Sequence, residues 1–132
     1  MLLETDGLCI GLQDGQRRIV EEVSFALERG QCFGLLGESG AGKTLLAYAL
    51  CGLLSPPMRI LAGSICFAGE NILLDNKKQL ARKRGRQIFM MFQSAAAALN
   101  PYMTVGSQIA EALQTARRLS AKAALREAGA LL

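Results

Sequence analysis

The chain contains 132 residues, of which 51% are hydrophobic and 20% are charged. This composition is typical of one folded domain and excludes a disordered chain. The formal net charge of +4 suits an anionic ligand, an acidic partner or a membrane surface, and does not choose among them. The first residues are acidic where a secretory leader would be basic, and the apolar run 45–54 has roughly half the length of a bilayer crossing. We therefore expect a cytosolic protein.

The first elements along the chain predict a β-hairpin. Residues 2–12 and 19–27 are typical of strands, and the turn-forming pair Asp14-Gly15 separates them. Residues 60–74 contain two further strand-like runs around glycine turns. We expect these runs to extend the opening hairpin into an antiparallel β layer.

Two unbroken apolar runs predict a different kind of strand. Residues 32–36 and 88–92 have the composition of strands that are covered on both faces in a parallel sheet. Between them, residues 43–54 carry apolar side chains at helical spacing, and Ser55-Pro56-Pro57 ends that helix. The alternation of strands and helices predicts an α/β fold.

The cysteines are spread along the chain at Cys9, Cys32, Cys51 and Cys66. No two of them form a Cys-x-x-Cys pair and the chain contains no histidine, so a zinc site is disfavoured. We expect buried free thiols instead.

A glycine-rich segment lies between the predicted strand 32–36 and the predicted helix. It satisfies the pattern G-x-x-x-x-G-K-[ST] at every defined position. Its residues, called the phosphate loop below, are Gly37, Glu38, Ser39, Gly40, Ala41, Gly42, Lys43 and Thr44. Because the pattern follows a strand and opens a helix, it favours a nucleotide site over a flexible turn with an incidental lysine.

Each part of the phosphate loop has a physical role in holding phosphate. The glycines at 40 and 42 let successive backbone amides turn inward on an anion. The N terminus of the following helix adds unsatisfied amides and the positive end of its dipole. Lys43 is expected to reach the terminal phosphates of ATP, and the hydroxyl of Thr44 to bind Mg²⁺.

A basic run within residues 76–86 has two interpretations, a nucleic-acid surface and a solvated helix face. Its members are Lys77, Lys78, Arg82, Lys83, Arg84 and Arg86. No aromatic residue lies between Phe67 and Phe89, so bases would find no stacking platform. We favour the helix face and expect no nucleic-acid partner.

Several motifs together resemble one family. They are the phosphate loop, the run Met90-Met91-Phe92-Gln93, the run Leu99-Asn100-Pro101, and residues 108–113. Gln93 alone would be an ordinary polar residue at a strand end. In this combination the whole chain resembles the ATPase subunits of dipeptide, oligopeptide and nickel importers, which are ATP-binding-cassette (ABC) transporters.

The resemblance implies a fold and a domain organisation. The fold is a P-loop NTPase of ABC ATPase type, with an N-terminal antiparallel β layer and a partial parallel α/β core, truncated before the signature motif. Residues 1–132 would form part of one nucleotide-binding domain, with the phosphate loop at 37–44, the Q-loop around Gln93 and the start of a helical subdomain at about 107–132. The sequence itself predicts helices over 108–118 and 120–132, the second with Ser120 as its N-cap.

The resemblance also implies a function. The chain would bind Mg²⁺ and ATP to energise the import of peptides or nickel, with Lys43 and Gln93 in catalytic roles and with Thr44 and Gln93 near the metal. The region after Gln93 would contact transmembrane permease subunits. A second ABC ATPase subunit, identical or related, would complete the site, and the protein would lie on the cytoplasmic face of the inner membrane.

The sequence departs from this family at several points. Leu12 stands where family members place an aromatic residue against adenine. The signature Leu-Ser-Gly-Gly-Gln segment, an adjacent Asp-Glu pair and a switch histidine do not occur in the sequence. We therefore expect little or no ATP turnover by this chain. A non-catalytic nucleotide-binding fragment and another phosphate-loop enzyme, such as a small kinase, remain the alternatives.

Overall fold

The computed structural model describes residues 1–72, 80–81, 83–94 and 98–132. The chain divides into two compact units, residues 1–82 and residues 83–132. The first unit contains strands β1 (Leu3–Leu12), β2 (Arg18–Leu27), β3 (Met58–Phe67) and β4 (Glu70–Asn71), together with helix α1 (Lys43–Leu50). The second contains helices α2 (Val105–Arg117) and α3 (Ala121–Leu131).

The strands form one antiparallel sheet with the order β2-β1-β3-β4. This confirms the predicted hairpin and its extension by the runs within 60–74. The turn between β1 and β2 forms where Gly15 adopts a φ of 75° and the Asp14 carboxylate accepts a hydrogen bond of 3.0 Å from the Gln16 amide. Leu8, Ile10 and Ile65 are fully buried and give this unit its core.

The sheet contains several irregularities in register, of which two are described here because they position Ile19 and Gly63. Between β1 and β2, Ile10 pairs with Val20 whereas Gly11 pairs with Arg18, so Ile19 is the extra residue of a β-bulge. Between β1 and β3, Asp6 pairs with Ser64 and Cys9 pairs with Ala62. Two residues of β1 therefore lie opposite one residue of β3 at this second bulge.

The second bulge requires a glycine at position 63. Gly63 has a φ of 87°, a conformation that side-chain-bearing residues rarely adopt. A Cβ atom there would overlap the backbone of Gly7 and the carbonyl oxygen of Asp6. Gly7, with a φ of 55°, is the second glycine of this crossing, so the two strands approach each other more closely than side chains would allow.

Helix α1 ends at Leu50, earlier than the predicted end at residue 54. Gly52 adopts a φ of 63°, and its amide donates a hydrogen bond of 3.0 Å to the Ala49 carbonyl. The Leu53 amide donates one of 2.8 Å to the Tyr48 carbonyl. This pair of hydrogen bonds is a Schellman motif. In the sequence, Leu53 and Leu54 continue the helical spacing of the apolar residues, but the helix ends before Gly52.

The predicted parallel part of the α/β core is wrong for this structure. Residues 32–36 and 88–92 form no strand, and Leu36 and Met91 are 94% and 96% exposed. A parallel strand exists only when neighbouring strands accept and donate its backbone hydrogen bonds, and no strand of the described ranges pairs with either segment. At the start of the segment 88–92, Ile88 forms an isolated β-bridge with Arg84, which is not part of a strand.

The helical unit is built from caps and small buried residues. The Thr104 hydroxyl caps α2 by accepting a hydrogen bond of 3.2 Å from the Ser107 amide, so α2 begins three residues before the predicted position 108. Ser120 caps α3 as predicted. An Arg117–Glu127 ion pair joins the two helices. Their shared core consists of Ala110, Leu113, Ala124 and Ala128.

The remaining predictions on side chains are confirmed in part. Cys9 and Cys51 are buried as expected, but Cys66 is half-buried and Cys32 is exposed. Of the basic run, Lys77, Lys78 and Arg82 lie outside the described residues. Arg86 instead donates hydrogen bonds of 2.8 and 3.1 Å to the Thr115 carbonyl near the end of α2, where a cation is favoured. In the described part of the chain, no helix has both the length and the apolar character of a membrane span.

Candidate nucleotide-binding site

The phosphate loop connects the segment 32–36 to α1, and its glycines adopt conformations that other residues disfavour. Gly40 and Gly42 have φ values of 84° and 83°. Gly42 is also the N-cap residue of α1. The first amides of α1 therefore face the loop, as an anion-binding helix terminus requires.

Gly42 fixes the phosphate loop against the sheet. A Cβ atom at Gly42 would lie 2.7 Å from Cγ2 of Val20 and 3.4 Å from both the carbonyl oxygen and Cγ2 of Ile19. Real Cβ atoms do not approach other atoms as closely as 2.7 Å. The loop thus packs on β2 at its bulge through a contact that only glycine permits.

Lys43 extends over the beginning of the loop. Its Nζ donates hydrogen bonds of 2.7 Å to the carbonyl of Gly37 and 2.6 Å to the carbonyl of Glu38. These short contacts are charge-assisted and hold the ammonium group within the loop. Thr44 follows in the first turn of α1 and is exposed, so its hydroxyl is available to a ligand.

An open depression of about 480 Å³ lies beside the loop. Its lining consists of Ile19, Ser39, Gly40, Ala41, Gly42, Lys43, Thr44, Leu45 and Met58. The predicted residues 39–44 are therefore brought together in one surface. Sequence reasoning missed Ile19 and Met58, because only the pairing of β1 with β2 and β3 brings them to the loop. Leu12, the position matching the family's aromatic, does not line the depression.

Gln93 belongs to the second unit, where its side chain is exposed. Residues 95–97, which begin the region expected to contact a permease, lie outside the described residues. The assignment of Gln93 to the site stays a prediction.

The loop that precedes α2, from Asn100 to Thr104, is held to that helix by Gln108. The Gln108 side chain accepts a hydrogen bond of 2.9 Å from the Asn100 amide and donates to the carbonyls of Asn100 and Met103 at 3.0 and 3.1 Å. The Asn100 side chain in turn accepts a bond of 3.0 Å from the Tyr102 amide. As a result, the loop presents Tyr102 with 95% of its surface exposed.

Replacing Gln108 with alanine should accelerate chymotrypsin cleavage after Tyr102 by roughly tenfold, because the lost hydrogen bonds let the loop open locally. The matched control is Gln114→Ala on the same helix, since the hydrogen bond seen for the Gln114 amide among the described residues is to the carbonyl of Ala110 in its own helix. Cleavage that is equally fast in both variants would contradict the role given to Gln108.

The chain matches the model of the ABC transporter family over residues 20–131. It is 39% identical to the oligopeptide transport ATP-binding protein OppD of Salmonella typhimurium, with 100% of this chain and 40% of the relative covered. It is 40% identical to OppD of Escherichia coli, over 90% of this chain and 35% of the relative. It is 38% identical to the dipeptide transport ATP-binding protein DppD of Bacillus subtilis, over 89% of this chain and 36% of the relative. The chain thus spans less than half the length of these relatives, and it belongs to the ABC transporter family.

Proposed function

We propose that this chain binds ATP through the phosphate loop, as the nucleotide-binding part of an ABC importer. The observation that carries the proposal is the loop itself, folded around Gly40 and Gly42 at the N terminus of α1 with the Lys43 ammonium held inside it. The family match and the relatives' names, which describe ATP-binding proteins, support the same ligand.

The described contacts suggest how phosphates are bound. The Lys43 ammonium exchanges the carbonyls of Gly37 and Glu38 for phosphate oxygens, which as anions are stronger partners. The loop amides and the first amides of α1 share the remaining negative charge. The loop residues therefore need little rearrangement to bind phosphates, because Gly42 already packs the loop against β2.

The donor set of the loop fits Mg²⁺ better than a tightly coordinated metal. Thr44 offers one exposed hydroxyl, and the residues that the structure describes include no cluster of three or more cysteine, aspartate or glutamate side chains. Mg²⁺ is usually held by one or two protein oxygens together with substrate phosphates and water. When bound, the ion neutralises charge on the phosphates. Thr44 is the residue that would hold it, and Gln93, if it reaches the site, would orient water through its neutral amide.

Calorimetry on the purified chain tests this function. We expect ATP to bind in the presence of Mg²⁺ and more weakly after chelation, because Thr44 then loses its bridging ion. Absence of binding by a chain that circular dichroism shows to be folded would refute the proposal. A kinase-like enzyme would instead transfer phosphate to an added acceptor.

The proposal includes little or no ATP turnover by this chain. The sequence contains no adjacent Asp-Glu pair and no histidine, so the groups that polarise water in the family are not supplied by these residues. We expect phosphate release at the background rate while ATP stays bound, as for a non-catalytic binding module. Release of many phosphates per chain, measured in the same sample, would contradict this expectation.

The proposed partners and cargo follow from the resemblance and from the relatives' names. Peptides are favoured over nickel as the transported substrate, since the relatives are oligopeptide and dipeptide transport proteins. The exposed loop around Tyr102 is the described part of the surface proposed to meet a permease. A second ABC ATPase subunit is the proposed dimer partner. The chain would then lie at the cytoplasmic face of the membrane, attached through the permease.

A further inference from the structure

The depression beside the phosphate loop has two chemically different sides. Residues 39–44 supply backbone amides, hydroxyls and the Lys43 ammonium. Ile19 and Met58 are lining residues with apolar side chains, and they come from two different strands. A ligand that fills the depression therefore meets a polar, phosphate-binding side and an apolar side.

Ile19 is directed to this position by the bulge in β2. As the extra residue between the pairs Ile10–Val20 and Gly11–Arg18, it leaves the regular alternation of the strand. Its Cγ2 lies 3.4 Å from the place where a Cβ of Gly42 would be. Bulges commonly re-aim a side chain beside a binding site, and here the isoleucine lies directly against the loop.

Met58 is held at the first position of β3. It pairs with Leu12 in the sheet, and its amide donates a hydrogen bond of 3.0 Å to the Ser55 carbonyl. The neighbouring Pro57 carbonyl accepts a bond of 2.8 Å from the Gln13 amide. The backbone at Met58 is thus anchored, and its half-buried side chain belongs to the lining of the depression.

We infer that Met58, together with Ile19, forms the wall that contacts the face of the nucleobase. This inference rests on the proposed function, which places the phosphates in the loop. A thioether is polarisable and packs well on an aromatic ring. Neither side chain offers a strong hydrogen-bond donor to a base edge, so the wall contacts the ring face and treats adenine and guanine alike.

Binding to the full 132-residue chain by calorimetry separates the wall from the loop, with Mg-ATP, Mg-GTP and inorganic triphosphate as ligands. We expect Met58→Ala to weaken the binding of ATP and of GTP about tenfold each and to leave the binding of inorganic triphosphate unchanged. Leu61→Ala, a comparable truncation on the same strand outside the depression, should change none of the three. Met58→Gln, which keeps the volume but adds polarity, should give the same pattern without a cavity.

A spectroscopic variant gives an independent test. The chain contains no tryptophan, so Met58→Trp introduces a single indole, whose emission should be quenched by ATP and GTP but not by inorganic triphosphate. Leu61→Trp should show no quenching by any of them. Wild-type chain that binds neither ATP nor triphosphate would overturn the proposed function and the wall with it. The wall alone would be overturned if Met58→Gln weakened the binding of triphosphate and of ATP equally, or if it left ATP binding unchanged.

Discussion

Replacing Lys43 with alanine should weaken ATP binding by roughly 100-fold or more. The Lys43 ammonium already makes two short charge-assisted contacts within the loop, at 2.7 and 2.6 Å, and phosphate oxygens would replace those carbonyls. Each charge-assisted hydrogen bond contributes about 1.5–3 kcal/mol, and about 2.8 kcal/mol corresponds to 100-fold in affinity. Isothermal titration of the wild-type and variant chains with Mg-ATP measures the difference.

Two further variants make the Lys43 experiment specific. Lys122→Ala removes the same charge from an exposed position on α3 and should leave ATP binding unchanged. Lys43→Arg keeps the charge but replaces a compact ammonium by a planar guanidinium, so we expect only partial recovery. Unfolding midpoints should be similar for all variants, because Gly37 and Glu38 are exposed residues and water can replace the Lys43 ammonium as their partner. Undiminished binding by Lys43→Ala would contradict the proposed role of the loop.

Replacing Gly63 with alanine should destabilise the sheet unit by about 2–5 kcal/mol. The φ of 87° at Gly63 costs a side-chain-bearing residue about 1–2 kcal/mol. The added Cβ would also overlap the backbone of Gly7, and relieving such overpacking costs about 1–3 kcal/mol more. Urea denaturation followed by circular dichroism measures the change in the free energy of unfolding.

Gly69 provides a matched control for Gly63. Its φ of 83° is nearly the same, but among the described residues no atom beyond the chain neighbours of Gly69 lies within 4 Å of an added Cβ. Gly69→Ala should therefore lower the free energy of unfolding only by the cost of the backbone conformation, about 1–2 kcal/mol. Equal destabilisation by the two substitutions would show that the close approach of β1 and β3 contributes nothing to the requirement for glycine.

The parts of the fold that were predicted correctly depend on local signals. The Asp14-Gly15 turn, the hairpin strands and the Ser120 cap are each specified by a few adjacent residues, and the structure contains all of them. The end of α1 was missed although its signal is also local. Gly52 marks a C-terminal cap, but the apolar spacing in the sequence continues through Leu53 and Leu54 and predicts a longer helix.

The other features that sequence patterns did not predict depend on pairing between distant residues. An apolar run such as 32–36 reports a preference for burial, whereas a strand also needs partner strands for its backbone groups. Ile19 and Met58 reach the depression only because β1 pairs with both β2 and β3, and no short window of sequence contains that information. The structure describes Gln93 as exposed, and its catalytic role remains a prediction.

The contact between Gly42 and Val20 has a consequence for how the sequence can vary among relatives. A Cβ at position 42 is excluded by a methyl group of the valine, 2.7 Å away. A smaller residue at position 20 would remove this overlap, but the φ of 83° at Gly42 would still disfavour any side chain at position 42. We therefore expect relatives to keep glycine at position 42 even where the residue at position 20 is smaller.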